Sequence, residues 1–381
     1  MKLIVLGYII KGPLGGLAWH HLQYVLGLKA LGHDVLFLED SDDYPACYDP
    51  KTFKFTENPS FGLKFTVDLF DTYDLKYNWA YFDAHTNTWF GLNKSNVLAF
   101  CSLADIVINI SGVNPLRDWW TNIPVRIFID TDPGFTQLRH LSDLTAYNLS
   151  NHHTHHFTFG ENVGKKNCTI PIDGFQWKAT RQPVLLEAWK VSASHPSTNW
   201  TTVMQWDSYK VKEYNNQVFG MKSQSFKKFE FLPKHLPNEI FEIAMGSVSA
   251  PIEDLKSKGW KILNSLLPTK TPWTYQNFIA NSKGEWSVAK HGYIISNSGW
   301  FSERTTCYLA TGKPVVVENT GFSEIIETGK GIFAFRTIEE AEESIKIINK
   351  EYKYHCAQAR KQVECYFSAD NVLVNLLKDV S

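Results

Sequence analysis

The sequence predicts an α/β protein built as two successive doubly wound domains facing across a cleft. One sign is its opening unit. Residues 3–9 form an apolar strand, Gly12-Pro13-Leu14-Gly15-Gly16 breaks it, and after a helix Gly32-His33-Asp34 turns into the strand Val35-Leu36-Phe37-Leu38. Another lies near the far end, where Ser302 can cap a helix that Gly312 and Pro314 terminate before the buried run Val315-Val316-Val317. Between and beyond them strand-like and helix-like runs alternate, the pattern of parallel sheets covered by helices.

In chain order, the first helix covers about 17–31, with Leu22, Val25, Leu26, Leu28 and Leu31 on one apolar face. The loop before it is not Gly-x-Gly-x-x-Gly, so a dinucleotide fingerprint is absent, yet adjacent Gly15 and Gly16 allow close approach of a ligand. Over 41–92 regularity falls. The aromatic residues between Tyr44 and Phe90 are read as an elaboration of the first domain that lines the cleft and serves as the acceptor surface. A helix at 95–103 and strands at 105–110 and 125–129 resume the alternation. The second strand ends in Asp130-Thr131-Asp132-Pro133-Gly134, a strand tip where the crevice of an open sheet lies. His152, His153, His155 and His156 are contiguous rather than four apart, with no obvious carboxylate or cysteine partner, so a polar turn is expected there and no metal centre.

Residues 192–199 are the expected linker, and a strand at 200–206 opens the second domain. Pieces at 226–232, 239–244, 255–259, 260–263 and 275–280 alternate up to the helix after Ser302. A strand at 332–335 follows, then a helix at 338–349 whose Glu339-Glu340 start and Lys350 end match its dipole. Helical stretches at 352–367 and 370–378 close the chain. The division is therefore 1–195, 196–365 and a final helix, 366–381, expected to cross back to the first domain.

Composition narrows the function. The 381 residues are 44% hydrophobic and 20% charged, and 38 basic against 39 acidic side chains give a net charge of −1. A real core is expected, and no basic field is available to hold a nucleic-acid backbone. The 13 tryptophans belong mostly to the core, with sugar or base platforms as the other use. Six scattered cysteines without a Cys-x-x-Cys pair read as reduced, in a cytoplasmic chain. The first strand lacks a small-residue cleavage site, and no apolar run approaches the ~18 residues of a membrane helix.

Two pieces carry a family resemblance. Gly15-Gly16, His20 and Gly32-His33-Asp34-Val35 fall at the spacing of the N-terminal motif of GT-B nucleotide-sugar glycosyltransferases. Arg304 through Val317, followed by Thr320-Gly321-Phe322-Ser323-Glu324, resembles their C-terminal donor motif, in the manner of bacterial family 4-like and spore-coat-type members. The resemblance spans both domains in order and implies two Rossmann-like domains, the first on the acceptor side and the second on the donor side. It implies transfer of a sugar from a nucleotide donor to an unidentified acceptor, with no cofactor and no essential metal. One departure stands out: Cys307 occupies the place where many relatives carry a Glu that holds the ribose.

A helix start with Ser302, Arg304, Thr305 and Thr306 is a natural anion site, because unpaired backbone N–H groups, the dipole and a guanidinium converge there. Lys222 and Lys290 are further cations for a departing diphosphate, or else solvated surface lysines. By resemblance Gly15 and Gly16 face the donor, and Thr320, Gly321, Phe322 and Glu324 lie over its sugar, although Glu324 could instead cap a following helix. His20 is the candidate near the reacting centre, with His21 as its rival, and Asp132 or Asp130 is the candidate base, against a purely turn-forming role. A sugar-nucleotide epimerase of the same fold and a non-catalytic nucleotide-sugar-binding descendant remain as alternatives. A dehydrogenase lacks its fingerprint.

Overall fold

The computed structural model describes residues 1–50, 52–191 and 199–380, and two sheets organise them. Of the expected linker, 192–198 lie outside the described residues and Asn199 already belongs to a strand.

β1 (Lys2–Leu6) passes through the glycine loop into α1 (Gly15–Ala30) and β2 (Asp34–Asp40). A hairpin of β3 (Cys47–Asp49) and β4 (Lys54–Thr56) leads to α2 (Ser60–Thr72), β5 (Trp79–Asp83), β6 (Thr88–Gly91), α3 (Lys94–Ser102) and β7 (Ile106–Ile110). Then come α4 (Asp118–Thr121), β8 (Val125–Asp130), α5 (Phe135–Ser142), α6 (Leu144–Asn151), β9 (His155–Thr158) and β10 (Trp177–Ala179). The sheet order is β10-β9-β8-β7-β1-β2-β5-β6, parallel throughout except for β6 against β5.

The second sheet begins with β11 (Asn199–Met204). A hairpin of β12 (Lys212–Tyr214) and β13 (Gln217–Phe219) precedes α7 (Lys222–Phe226), α8 (Leu232–His235), β14 (Ile240–Met245), α9 (Ile252–Ser257) and β15 (Lys261–Asn264). α10 (Leu266–Thr269), α11 (Pro272–Ala280), β16 (Gly284–Ser287), α12 (His291–Ile295), α13 (Glu303–Ala310), β17 (Val315–Glu318) and β18 (Ile332–Phe335) follow. Its order, β15-β14-β11-β16-β17-β18, is entirely parallel. α14 (Ile338–Lys350), α15 (Tyr352–Tyr366) and α16 (Ala369–Lys378) end the chain.

Strands covered on both faces are nearly continuous apolar runs, and Leu3 to Leu6, Ile106 to Ile110 (apolar but for Asn109) and Val315 to Val317 are buried without alternation. Strand order reverses between β1 and β7 and between β11 and β16, the positions where parallel sheets open a crevice. The tryptophan excess goes largely inside: Trp19, Trp120, Trp189, Trp200 and Trp286 are fully buried. One apolar cluster runs from Leu3 and Trp19 of the first domain into Tyr275, Tyr293 and Tyr308 of the second.

The domains meet closely. A Cβ on Gly15 would stand 2.3 Å from the Thr271 carbonyl oxygen, and the Trp19 indole donates to Pro272 O at 3.0 Å, so α1 seats directly on α11. α16 packs on α1, where a Cβ on Gly27 would meet Leu373 at 2.6 Å and Ala369 at 2.9 Å.

The 41–92 expectation needs correction. β5 lies in the main sheet, parallel to β2, and all of Trp79–Asp83 is buried; continuous burial hides strand periodicity among aromatic residues. None of the aromatic residues between Tyr44 and Phe90 lines the interdomain cavity. No helix among the described residues is long and apolar enough to cross a membrane.

Candidate functional site

A cavity of about 360 Å³ opens between the two sheets. Its first-domain wall comes from the start of α1, with Gly16 and His20, and from the β8 tip, with Asp132. Its second-domain wall comes from the carboxyl end of β11, the start of α7 with Lys222, α12 with Lys290 and Tyr293, and the start of α13 with Ser302, Glu303 and Arg304.

α13 begins as its sequence requires. Ser302 is extended, and its hydroxyl accepts from Arg304 N at 3.3 Å. The helix therefore presents its positive end to the cavity. The Arg304 side chain turns inward, donating from Nε to Glu285 Oε1 at 2.6 Å and from Nη1 to Val203 O at 2.9 Å. Burial alone would lower its pKa; the neighbouring Glu285 carboxylate outweighs this and raises it. Glu285 is fully buried, and its Oε2 has no hydrogen-bond partner among the described residues.

Lys222 is different. Its ammonium has no hydrogen-bond or ion-pair partner among the described residues, and its pKa falls to about 7. Burial is the main cause and repulsion from Arg304 and Lys290 adds to it, against weaker attraction to Glu303 and Glu285. Lys290 is paired: its Nζ reaches Asp132 Oδ1 at 2.8 Å and the Tyr209 hydroxyl at 2.6 Å.

On the opposite wall His20 Nδ1 faces Gln182 Oε1 at 2.6 Å. The Gln182 amide nitrogen donates to His20 O and Pro183 O, each at 3.1 Å, so its Oε1 is the acceptor and His20 carries its proton on Nδ1. Nε2 is left as an acceptor in a ring that lines the cavity. Burial lowers the His20 pKa, partly offset by Glu303 and the Gln182 bond, so the neutral form is favoured. His21 is a packing residue, fully buried, with Nδ1 on Leu17 O at 2.8 Å and its ring edge-on to Tyr8.

The two aspartates also separate. Asp130 accepts from Thr136 Oγ1 at 2.6 Å, Thr158 Oγ1 at 2.7 Å, Gln137 Nε2 at 3.1 Å and Asp132 N at 2.9 Å, so it organises the turn. Asp132 reaches the cavity, held by Lys290 and by the hydroxyls of Tyr209 and Tyr293.

The structure thus gathers Gly16, His20, Asp132, Lys222, Lys290, Ser302 and Arg304. Gly15 packs against Thr271 instead. Thr305, Thr320 and Phe322 line a separate cavity of about 20 Å³ behind α13, where Phe322 meets Phe301 at 5.0 Å. Gly321, at φ 99°, lies against Asn297 and Asn162. Glu324 caps no helix: it accepts from Asn167 Nδ2 at 2.6 Å and Asn297 Nδ2 at 3.3 Å, and the chain beyond it is not helical. Cys307 is buried, its thiol donating to Glu303 O at 3.4 Å and its pKa pushed up by burial. Glu303, Gln182, Tyr209 and Tyr293 were not singled out from the sequence. Glu303 has the ordinary look of an acidic residue in the first turn of a helix, and the other three lie in segments without motif or period.

The histidine run is structural. His153 is buried with Nδ1 on Leu149 O at 2.9 Å, and His156 stacks on Phe175 at 4.4 Å. Among the described residues no group of three or more His, Cys, Asp or Glu is placed to hold a metal ion. A second cavity, about 290 Å³, lies beside β10 and α16; its Arg181 and Glu161 bind each other at 2.6 and 2.9 Å.

No family model and no curated protein matches the chain. Solved structures do. An α-glucosyltransferase in complex with UDP aligns over 99% of this chain and 98% of its own, at 11% identity and a TM-score of 0.61. The α-glucosyltransferase in complex with UDP-glucose and DNA containing an abasic site aligns over the same shares at 13% and 0.58. Sucrose-phosphate synthase from Thermosynechococcus elongatus covers 99% and 98% at 12% and 0.53. The two parallel sheets, the crevice between their carboxyl ends and these end-to-end alignments together show that the chain has the GT-B fold.

Proposed function

We propose that this protein is a glycosyltransferase that moves a sugar from a nucleotide-sugar donor to an acceptor, without an essential metal. The observation that carries the reading is Lys222. It is a cation without a partner among the described residues, beside Arg304 and the positive end of α13, in a cavity whose opposite wall holds a neutral histidine. An unpaired, half-buried ammonium next to a guanidinium lacks a counter-anion, and a diphosphate supplies one. Lys222, Arg304 and the α13 amides would take the charge that builds on the departing nucleoside diphosphate. His20 Nε2 would accept a hydrogen bond or proton from a hydroxyl at the reacting centre.

The likeness in fold to an α-glucosyltransferase that binds UDP-glucose supports the donor class. The same neighbour binds DNA, which makes a nucleic acid one arm of an acceptor panel beside sugars, lipids and proteins. All six cysteines are free thiols, in keeping with a reducing, cytoplasmic setting. Cys307 cannot offer a carboxylate to a ribose, an observation that favours a binding-only descendant as the second reading.

The test is a thermal-shift panel of nucleoside diphosphates and nucleotide sugars, followed by assay of diphosphate release. Stabilisation by one nucleotide series, with release only when acceptor is present, is the expected result. Release without acceptor points to an epimerase-type reaction, and binding without turnover on any acceptor points to the binding-only descendant.

A further inference from the structure

The Asp132 carboxylate crosses from the first domain into a cradle built by the second. Lys290 Nζ holds its Oδ1 at 2.8 Å, the Tyr293 hydroxyl donates to the same oxygen, and the Tyr209 hydroxyl donates to Oδ2. The cradle is walled by rings: Lys290 Nζ lies 4.4 Å from the Tyr209 centroid, 5.3 Å from that of Tyr293 and 5.1 Å from that of Phe135. One ammonium and two phenol hydroxyls converging on two carboxylate oxygens form a general oxyanion receptor, since phosphate oxygens accept the same donors in the same way. All three donors come from the second domain and their occupant from the first. Tyr293 is packed on Trp300 at 4.6 Å, and Lys290 and Tyr209 also bond each other at 2.6 Å, so the donors are linked by contacts of their own besides those to Asp132. Its Lys290 and Tyr293, with Asp132, line the same cavity as Lys222, which has no partner among the described residues.

We infer that Lys290, Tyr209 and Tyr293 form an anion subsite for a phosphate group of the incoming ligand, and that the Asp132 carboxylate is its resident occupant, displaced when that ligand binds. This rests on the nucleotide-sugar reading for the identity of the ligand, a nucleoside diphosphate. Displacement has a chemical consequence. While held, Asp132 has its oxygens engaged by a cation and two hydroxyls, which leaves them turned away from a hydroxyl of the acceptor. Once exchanged for phosphate, it is free at the cavity wall, on the same side as His20. Donor binding would thus precede, and license, engagement of the acceptor.

The test is calorimetric titration of inorganic pyrophosphate and of nucleoside diphosphates into the full chain, with circular dichroism as the check on folding. Asp132→Asn and Asp132→Ala are expected to bind pyrophosphate about tenfold more tightly than wild type, because the competing carboxylate is gone. Tyr209→Phe, which removes one donor from an exposed side chain, is expected to bind it severalfold more weakly. Unchanged or weaker binding by both folded Asp132 variants overturns the subsite. If neither folds, unchanged binding by Tyr209→Phe overturns it. A wild-type chain that ignores nucleoside diphosphates, while Asp132→Ala takes up pyrophosphate, removes the donor reading and leaves the subsite. Absence of pyrophosphate binding in every variant removes both.

Discussion

Behind the first-domain wall of the cleft, charge is neutralised by close neighbours. Asp130 is saturated by Thr136, Thr158, Gln137 and a backbone amide, and Glu39 behind the glycine loop takes the amides of Ile10 and Lys11 at 2.8 and 2.6 Å. On the second-domain wall, Arg304 is paired within its own domain, whereas Lys222, close enough to feel it, is left with no partner among the described residues. The difference teaches which groups build the cleft and which await a ligand. A buried pair is structure; a cation left at an elevated free energy is a binding determinant.

The sharpest way to break that distinction is Arg304→Ala. If Arg304 serves mainly as the partner of fully buried Glu285, its removal strands a carboxylate, and unfolding free energy should fall by about 3–5 kcal/mol in urea titrations. A variant as stable as wild type would refute the structural share of its role. His20→Ala tests the opposite wall: turnover should drop roughly 100-fold, while donor affinity stays within about twofold. Equal losses in both would make His20 a binding group. Gly15→Ala probes the seam, since the new Cβ would enter the Thr271 carbonyl; a loss of about 1–3 kcal/mol is expected by thermal unfolding.

Lys222→Met should weaken nucleoside-diphosphate binding about tenfold in calorimetry with no loss of stability, because the folded protein no longer holds an uncompensated cation. Its pH dependence sharpens the point. In the free protein the Lys222 pKa is about 7; a bound diphosphate raises it. Affinity should therefore be complete below pH 7 and decline above it, by up to about tenfold per unit, until the raised pKa of the complex is reached. Lys222→Met should flatten that decline, and a profile identical to wild type would assign it to another group. Stability follows the same lowered pKa. Between about pH 7 and 10.5 the unfolded chain binds the proton that the folded chain releases, so this lysine makes stability rise with pH across that window.

Much of the fold was legible because parallel strands flanked by helices leave apolar runs and glycine turns. The strand Ile332–Phe335, the cap at Ser302 and the helix from Ile338 show this. β5 was not legible, since five residues buried on both faces, four of them apolar, have no period to read among neighbouring aromatics. At the site, the glycine loop and the start of α13 marked the cleft because their chemistry is local. The pairing of Arg304 with Glu285 and of Asp132 with Tyr209, Tyr293 and Lys290 joins residues far apart in the chain, and only the fold brings them together. Thr320 through Glu324 were adjacent to the motif in sequence but turn behind α13, where left-handed Gly321 and the bonds to Asn167 and Asn297 hold them.

The seating of α16 on α1 bears on synthesis as well as on shape. Ala369 and Leu373 pack against a helix that is synthesised long before them, and the bridge from Val184 to Ser368 fastens the same junction. The surface of α1 around Gly27 therefore stays bare while the whole second domain is being made. Domain-by-domain folding in order of synthesis is interrupted here: the first domain gains this layer only when α16 emerges, after the second domain. A chain cut short before Ala369 should accordingly yield a second domain near its native form and a first domain with an exposed apolar seam, prone to association.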